Sequence, residues 1–344
     1  MTVPFRDISG GKAIGSGALA PRSKRTNSTN QVDSWRRGGA GVVPPVNIQY
    51  VIVAGGGAGA ISDRNGGGGA GGYKSSVTGE LSGGNSSVLS PLTNNGATLT
   101  VQVGAGGAIG LDGNNSFISN ETTTVSVLGG GRAGNYAEAL GPANFTFSGN
   151  GYPGGSGGGA VGRNDSDNPS GHNSWGTGTT GQGFRGGYSA HNAGAGWGSP
   201  GSGGGGAGQE GQKPPDSSST GRGGGAGGNG IASSITGSSV YRAGGGGGGG
   251  RYHSGAAGAG GLGGGGTGSM GGGATAGSAN TGGGGGGGMN YAAAGGSGVC
   301  IIRYLTAEFP DNPSGTTGSP VKTTSGSYTV WTFNASEQLF GNHP

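Results

Sequence analysis

Ile52-Val53-Ala54-Gly55-Gly56-Gly57-Ala58-Gly59-Ala60 is the segment that most resembles a catalytic or cofactor motif. Gly55, Gly57 and Ala60 fit the spacing G-x-G-x-x-G/A of a dinucleotide site, where glycines let a pyrophosphate approach the backbone at the start of a helix. The required helix is not there in the sequence. After Ile61-Ser62-Asp63-Arg64-Asn65 come four glycines, 66–69, and each glycine costs a helix about 1 kcal/mol. A P-loop needs Lys followed by Ser or Thr, but the lone Gly11-Lys12 is followed by Ala13. The four histidines, His172, His191, His253 and His343, have no carboxylate or cysteine at metal-ligand spacing. Gly-x-Ser-x-Gly matches arise by chance among so many glycines and serines, and they lack the strand-elbow-helix context of a nucleophile. With 14 acidic residues in all, no carboxylate pair for glycoside hydrolysis can be singled out. The expectation is a protein without catalysis, cofactor or metal.

A second set of residues stands between glycine tracts: His172, Trp175, Phe184, Tyr188, Trp197, Tyr241, Tyr252, His253 and Tyr291. One reading has them cover the flanks and ends of a glycine scaffold. The other has them anchor a ligand, since Trp, Tyr and Arg dominate binding hot spots and loops on a rigid frame carry function.

What positions these residues must be unusual, because 98 of 344 residues are glycine, more than a quarter against a usual share of about 7%. Only 29% are hydrophobic and 6% aromatic, too few for an ordinary core in a chain this long. Charged residues make up 9%, well below what keeps disordered chains open. The net charge of +4 is weak and scattered apart from Arg22, Lys24, Arg25, Arg36 and Arg37, which argues against a nucleic-acid stripe. The single cysteine, Cys300, lies in an apolar run and reads as a small buried hydrophobe. No run of 18 apolar residues occurs, and the first residues lack the basic-then-apolar layout of a secretory signal.

Short β-like runs, alternating or β-branched, occur at residues 48–53, 98–103, 124–128, 144–147, 299–305 and 328–333. Three of them run straight into glycine. Residues 151–298 are dominated by glycine, with two uninterrupted heptaglycines at 244–250 and 282–288. Collagen is excluded, because it needs glycine at every third position and abundant proline. A flexible linker punctuated by so many aromatics would be unusual. The remaining candidate is a bundle of extended threefold polyglycine II rods. Such a rod makes no internal hydrogen bonds, so its N–H and C=O groups need partners on neighbouring rods. Glycine alone lets backbones approach that closely while keeping its N–H. Each bond contributes about 0.5 to 1.5 kcal/mol net and each ordered residue costs about 1 to 2, so packing and flanking β structure must tip the balance.

The expected fold is thus mainly β and irregular, with short antiparallel strands, a polyglycine II helix bundle and almost no α-helix. Its divisions are an arm at 1–46, a β-strand and glycine-rich domain at 47–150, a polyglycine II body at 151–298 and C-terminal strands at 299–344.

The strand-to-glycine opening Tyr50-Val51-Ile52-Val53-Ala54-Gly55-Gly56-Gly57, the run Leu99-Thr100-Val101-Gln102-Val103-Gly104 and the ending Gly298-Val299-Cys300-Ile301-Ile302-Arg303-Tyr304 resemble the glycine-rich domains of bacteriophage tail fibres and adhesins. Residues 27–39, with Trp35-Arg36-Arg37, resemble the N-terminal segments of phage tail proteins. The resemblance implies a virion structural protein, a tail fibre, spike or decoration component on the particle surface. Its arm would dock on other virion proteins through Phe5, Ile8, Trp35, Arg36 and Arg37, and its body would bind a host surface glycan or outer-membrane protein through the aromatic residues above. Homo-oligomers fit this role, and nucleic acid is not an expected partner. The rival reading is an ice-binding or extracellular glycine-rich structural protein, in which a flat face of rods would itself be functional.

Overall fold

β1 (Val46–Val53) enters the molecule with four consecutive apolar residues after Gln49, too many for a strand with one wet face. In the computed structural model both its faces are covered. Tyr50 and Ile52 join one core cluster, while Val51 and Val53 join a second on the opposite face. The structure describes residues 45–60, 65–134, 149–162, 175–188, 199–215, 223–250, 256–288, 292–308 and 316–339. All of these lie within the compact unit Pro45–Pro344.

β1 is central in a six-stranded antiparallel sheet. Its partners are β2 (Tyr73–Ser75), β5 (Leu92–Asn94) and β11 (Val299–Leu305), and β13 (Tyr328–Phe333) and β12 (Val321–Ser325) extend the sheet beyond β11. Tyr50 faces Ile302 in register, and Ile302 faces Trp331. A four-stranded antiparallel sheet is ordered β14 (Glu337–Leu339), β6 (Leu99–Gln102), β7 (Ser116–Ser119) and β8 (Thr124–Val127). Leu99, Val101, Ile118 and Val127 of that sheet pack against Tyr50, Ile52, Ile302 and Phe333 to form the first cluster. Within it the Trp331 indole N–H donates to the Tyr304 hydroxyl at 3.1 Å. Cys300 is buried here, and burial pushes its thiol pKa up, so it acts as the small hydrophobe its setting predicts. Small hairpins of β3 (Leu81–Ser82) with β4 (Ser86–Ser87), and of β9 (Ile231–Ser233) with β10 (Val240–Arg242), complete the β structure. Among the described residues there is no α-helix, only a 3-10 turn at Gly83–Asn85.

Beyond the sheets the chain continues as extended glycine rods. The heptaglycine 244–250 shows how they pack. The N–H groups of Gly244, Gly247 and Gly250 donate to the carbonyls of Gly263, Gly266 and Ser269. Those of Gly245 and Gly248 donate to Gly228 and Gly225, and those of Gly246 and Gly249 to Gly68 and Asn65, all at 2.7 to 3.2 Å. Every third residue therefore faces the same neighbour, as a threefold polyglycine II rod requires. Its carbonyls accept from three further rods: from Gly284 and Gly287, from Gly261 and Gly258, and from Gly204 and Gly201. Six neighbours around one rod is hexagonal packing.

The other heptaglycine, 282–288, also has six neighbours and lies beside the first, with Gly284 donating to Gly244 and Gly287 to Gly247. A Cβ added to Gly246 would fall on the carbonyl oxygen of Gly285, and one added to Gly284 on that of Gly68. The interior of this region is made of peptide groups, and side chains are admitted only where the lattice leaves room, as at the fully buried Ala58, Ala70 and Ala160.

Candidate binding face at the end of the rods

β1 feeds the rod 54–60, and the rods 65–72 and 292–298 run into β2 and β11, which fixes a sheet end and a remote end for the bundle. Residues 60, 134, 162, 188, 215, 250 and 288 of the rising rods and 65, 149, 175, 199, 223, 256 and 292 of the descending rods all lie toward the remote end. At the sheet end the rods are joined by short described turns, such as 178–182 and 262–264.

Near the remote end three neighbouring rods carry a compact group of large side chains. Trp175 opens the descending rod 175–178 and Tyr188 closes the rising rod 182–188. The two are locked side by side by the Gly186 N–H donating to the Gly176 carbonyl at 3.0 Å. A third rod, 209–215, is tied on by the Gly211 N–H donating to the Arg185 carbonyl at 3.1 Å. The rings of Trp175 and Tyr188 meet edge to face with centroids 6.1 Å apart. The Arg185 guanidinium stacks on the Trp175 ring at 4.2 Å and donates to Glu210 Oε2 at 2.9 Å. That hydrogen bond is the main cause raising the Arg185 pKa, so the stacked group stays charged. The Lys213 ammonium stands 5.9 Å from the Tyr188 ring centre. Tyr188 is 38% exposed and the Trp175, Arg185, Glu210 and Lys213 residues are half-buried, so the group is both held and accessible.

A second stacked pair sits on rods nearby. Arg132 lies 3.5 Å over the Tyr152 ring and pairs with Asp112 at 3.4 Å. The rod carrying Tyr152 meets the rod that Trp175 opens through the Gly154–Gly178 bridge.

Of the aromatic candidates read from sequence, Trp175 and Tyr188 come together, and Phe184 is half-buried lower on the Tyr188 rod. Tyr241 is 46% exposed on β10, at the sheet end, and is not part of this group. His172, Trp197, Tyr252, His253 and Tyr291 lie outside the described residues, as do Phe5, Ile8, Trp35, Arg36 and Arg37 and all four histidines. Sequence reading did not single out Glu210, Lys213, Arg132, Tyr152 or Asp112. A usable signal was present: they are bulky or charged residues at the margins of rods, where only an outward-facing side chain fits.

The segment that mimics a dinucleotide fingerprint is a rod. The N–H groups of Gly55 and Gly57, which a pyrophosphate would need, donate to the carbonyls of Asn114 at 3.0 Å and Gly69 at 2.8 Å. Among the described residues no cluster of three or more potential metal ligands occurs, and no helix is long and apolar enough to cross a membrane.

The pattern that defines the glycine-rich domain family matches residues 42–305, from just before β1 to the last residue of β11. The chain belongs to this family. No curated protein and no solved structure matches it. The glycine-rich domain thus comprises the rods together with the strands that start and finish them, while β12, β13 and β14 lie beyond its end: β13 pairs with β11, β12 with β13 and β14 with β6.

Proposed function

We propose that this glycine-rich protein is a non-enzymatic structural component of a bacteriophage virion, a tail fibre, spike or decoration protein, that contacts the host cell surface with the remote end of its rods. One observation supports the reading: the described rods run in parallel from the sheets to a common remote end, where residues 60, 65, 162, 199, 250 and 288 lie together, while the sheets close the other end. Such a frame suits presentation. A chain can vary its loops without disturbing the body when the body is held by backbone bonds that ignore side-chain identity. The aromatic and charged group on rods 175–188 and 209–215 lies toward that remote end and adds the residue types favoured in binding sites.

In this reading the first 46 residues dock on other virion proteins, and the protein works on the particle surface, alone or as an oligomer. Purified full-length protein labelled with a fluorophore tests it directly. It should bind intact cells of a bacterium susceptible to the phage, slow phage adsorption by competition, and be labelled on particles by antibody in electron micrographs. Particles without the label, or thermal hysteresis in ice-growth assays without cell binding, would replace it with the ice-binding or matrix reading.

A further inference from the structure

We infer that Asn95 is a self-modification site, at which the chain converts its own asparagine to aspartate or isoaspartate. The reaction needs only solvent water and hydroxide. The Gly96 amide nitrogen gives its proton to hydroxide and bonds to Asn95 Cγ, and the side-chain nitrogen leaves as ammonia. Water then opens the resulting five-membered succinimide at one of its two carbonyls. Opening at the side-chain carbonyl gives aspartate, and opening at the main-chain carbonyl gives isoaspartate. Glycine in the following position favours the attack, because it has no side chain to obstruct it.

The same dipeptide occurs at Asn65-Gly66, Asn95-Gly96, Asn150-Gly151 and Asn229-Gly230, and the fold treats the four differently. Asn65 is fully buried in the lattice, with its Nδ2 donating to the Gly288 carbonyl at 3.0 Å and its own carbonyl accepting from the Gly249 N–H at 2.7 Å. Asn229 is held at both ends of its amide: Nδ2 donates to Gln209 Oε1 and Oδ1 accepts from the Leu262 N–H, each at 2.9 Å. The nitrogen that would attack it, that of Gly230, donates to the Leu262 carbonyl at 2.8 Å. Asn150 is exposed but has an interaction of its own. Asn95 is exposed in the turn between β5 and β6, and among the described residues neither its side chain nor the Gly96 N–H has a hydrogen-bond partner. Asparagine is common in turns because its side chain bonds nearby backbone, but here Asn94 does that work, its Nδ2 donating to the Ala97 carbonyl at 3.1 Å. Gly96 stands at φ 87°, where glycine is favoured, so the turn itself places the permissive residue after Asn95. At this site nothing has to break before the attack. Either product sets a new carboxylate beside β5. Isoaspartate also inserts one carbon into the main chain between Leu92 and Leu99, both buried in the first core cluster. Ageing thus loosens the sheets and spares the rods, whether or not the protein contacts a host.

The test incubates the full chain for several weeks in mildly alkaline buffer and follows each asparagine by peptide mass spectrometry, as a gain of one mass unit. Isoaspartate is scored separately with a protein isoaspartyl methyltransferase. Conversion at Asn95 should be at least tenfold faster than at Asn65 and Asn229, and faster at higher pH. In urea the sites should convert within about threefold of one another, because only the fold distinguishes them. Aged parent should lose urea midpoint relative to fresh protein, while Asn95→Gln, which changes an exposed side chain without partners, should fold normally and keep its midpoint. No conversion at Asn95, equal rates at Asn65, Asn95 and Asn229 in the folded chain, or the same ranking in urea would overturn the assignment of the site. Conversion at Asn95 with an unchanged midpoint would overturn the loosening of the sheets.

Discussion

The sheets and the rods of this protein are held together by opposite means. In the sheets, the interior is Tyr50, Ile52, Ile302 and Phe333 packed side chain to side chain between two layers, and the backbone bonds run within each layer. In the rods, the interior is the backbone itself, and each heptaglycine exchanges hydrogen bonds with six neighbours. A side-chain core tolerates a change of shape if volume is kept, because side chains can repack. A peptide core has nothing to repack: the atom a new Cβ would strike is a carbonyl oxygen already engaged in the lattice. The rods should therefore accept fewer substitutions than the sheets, even though their composition looks simpler.

The sharpest way to break that contrast is one methyl group in the lattice. Gly246→Ala would set its Cβ on the Gly285 carbonyl and should cost about 4 kcal/mol or more, at the extreme of single substitutions. Loss of soluble full-length protein, or a collapsed urea midpoint, is expected; an unchanged midpoint would mean that the rods do not pack as described. Ile302→Ala removes a fully buried side chain from the sheets and should cost about 3 kcal/mol, with a cavity left behind. The comparison inverts the usual rule, since adding one carbon to a rod should be at least as harmful as removing three from the core.

A third measurement asks whether the two regions melt together. Among the described residues, the buried titratable groups Tyr50, Tyr73, Cys300 and Tyr304 sit in the sheets. Burial raises the Tyr50 phenol to about 12 from its ordinary value near 10, and burial, aided by the negative charge of Glu80, raises Tyr73 as well. The unfolded phenol ionises near pH 10 while the folded one keeps its proton, so this stabilisation is complete below pH 10 and is lost as pH rises toward 12. Tyr50→Phe should flatten the fall in urea midpoint over that window. If the rods depend on the sheets, circular dichroism of the strands and amide-exchange protection of glycines 244–250 should report the same midpoint at each pH. Separate midpoints would show that the peptide lattice stands on its own.

Much of this contrast was legible in the sequence, and the reasons differ by region. The strands at 299–305 and 328–333 coincide with β11 and β13, because apolar runs of that length bounded by glycine and serine have one reading. The runs at 48–53, 98–103 and 124–128 match β1, β6 and β8 to within two residues, while 144–147 lies outside the described residues. β7, with Ser-Phe-Ile-Ser, and β12, with Val-Lys-Thr-Thr-Ser, were missed. Short polar strands are fixed by the neighbour they pair with, and no local pattern announces that pairing. In the rods the threefold period was implied by glycine content, yet the six partners of a given tract could not be read, since all glycines look alike in sequence. For the same reason Trp175 and Tyr188 stood out as aromatics while Glu210 and Lys213 did not. Their role depends on which rod lies beside which.

The smallest predicted effect tests the lattice from its edge. Gly271 lies in the turn 270–274 that joins two rods at the remote end, and a Cβ added there meets nothing within 4 Å. Its φ does not lie in the left-handed region, unlike that of Gly273 two residues on, at 79°. Gly271→Ala should therefore change stability by no more than about 0.5 kcal/mol, and toward stabilisation, because alanine restricts the unfolded chain. Gly273→Ala should cost about 1 kcal/mol from backbone strain alone, with no clash. Gly268, only three positions before Gly271, would drive its Cβ onto the Gly248 carbonyl, and its alanine variant should be as damaged as Gly246→Ala. Thermal midpoints of the three variants should thus rank 271 above 273 above 268. Equal midpoints would mean that glycine is present here for flexibility, and that close packing of backbones is not what requires it.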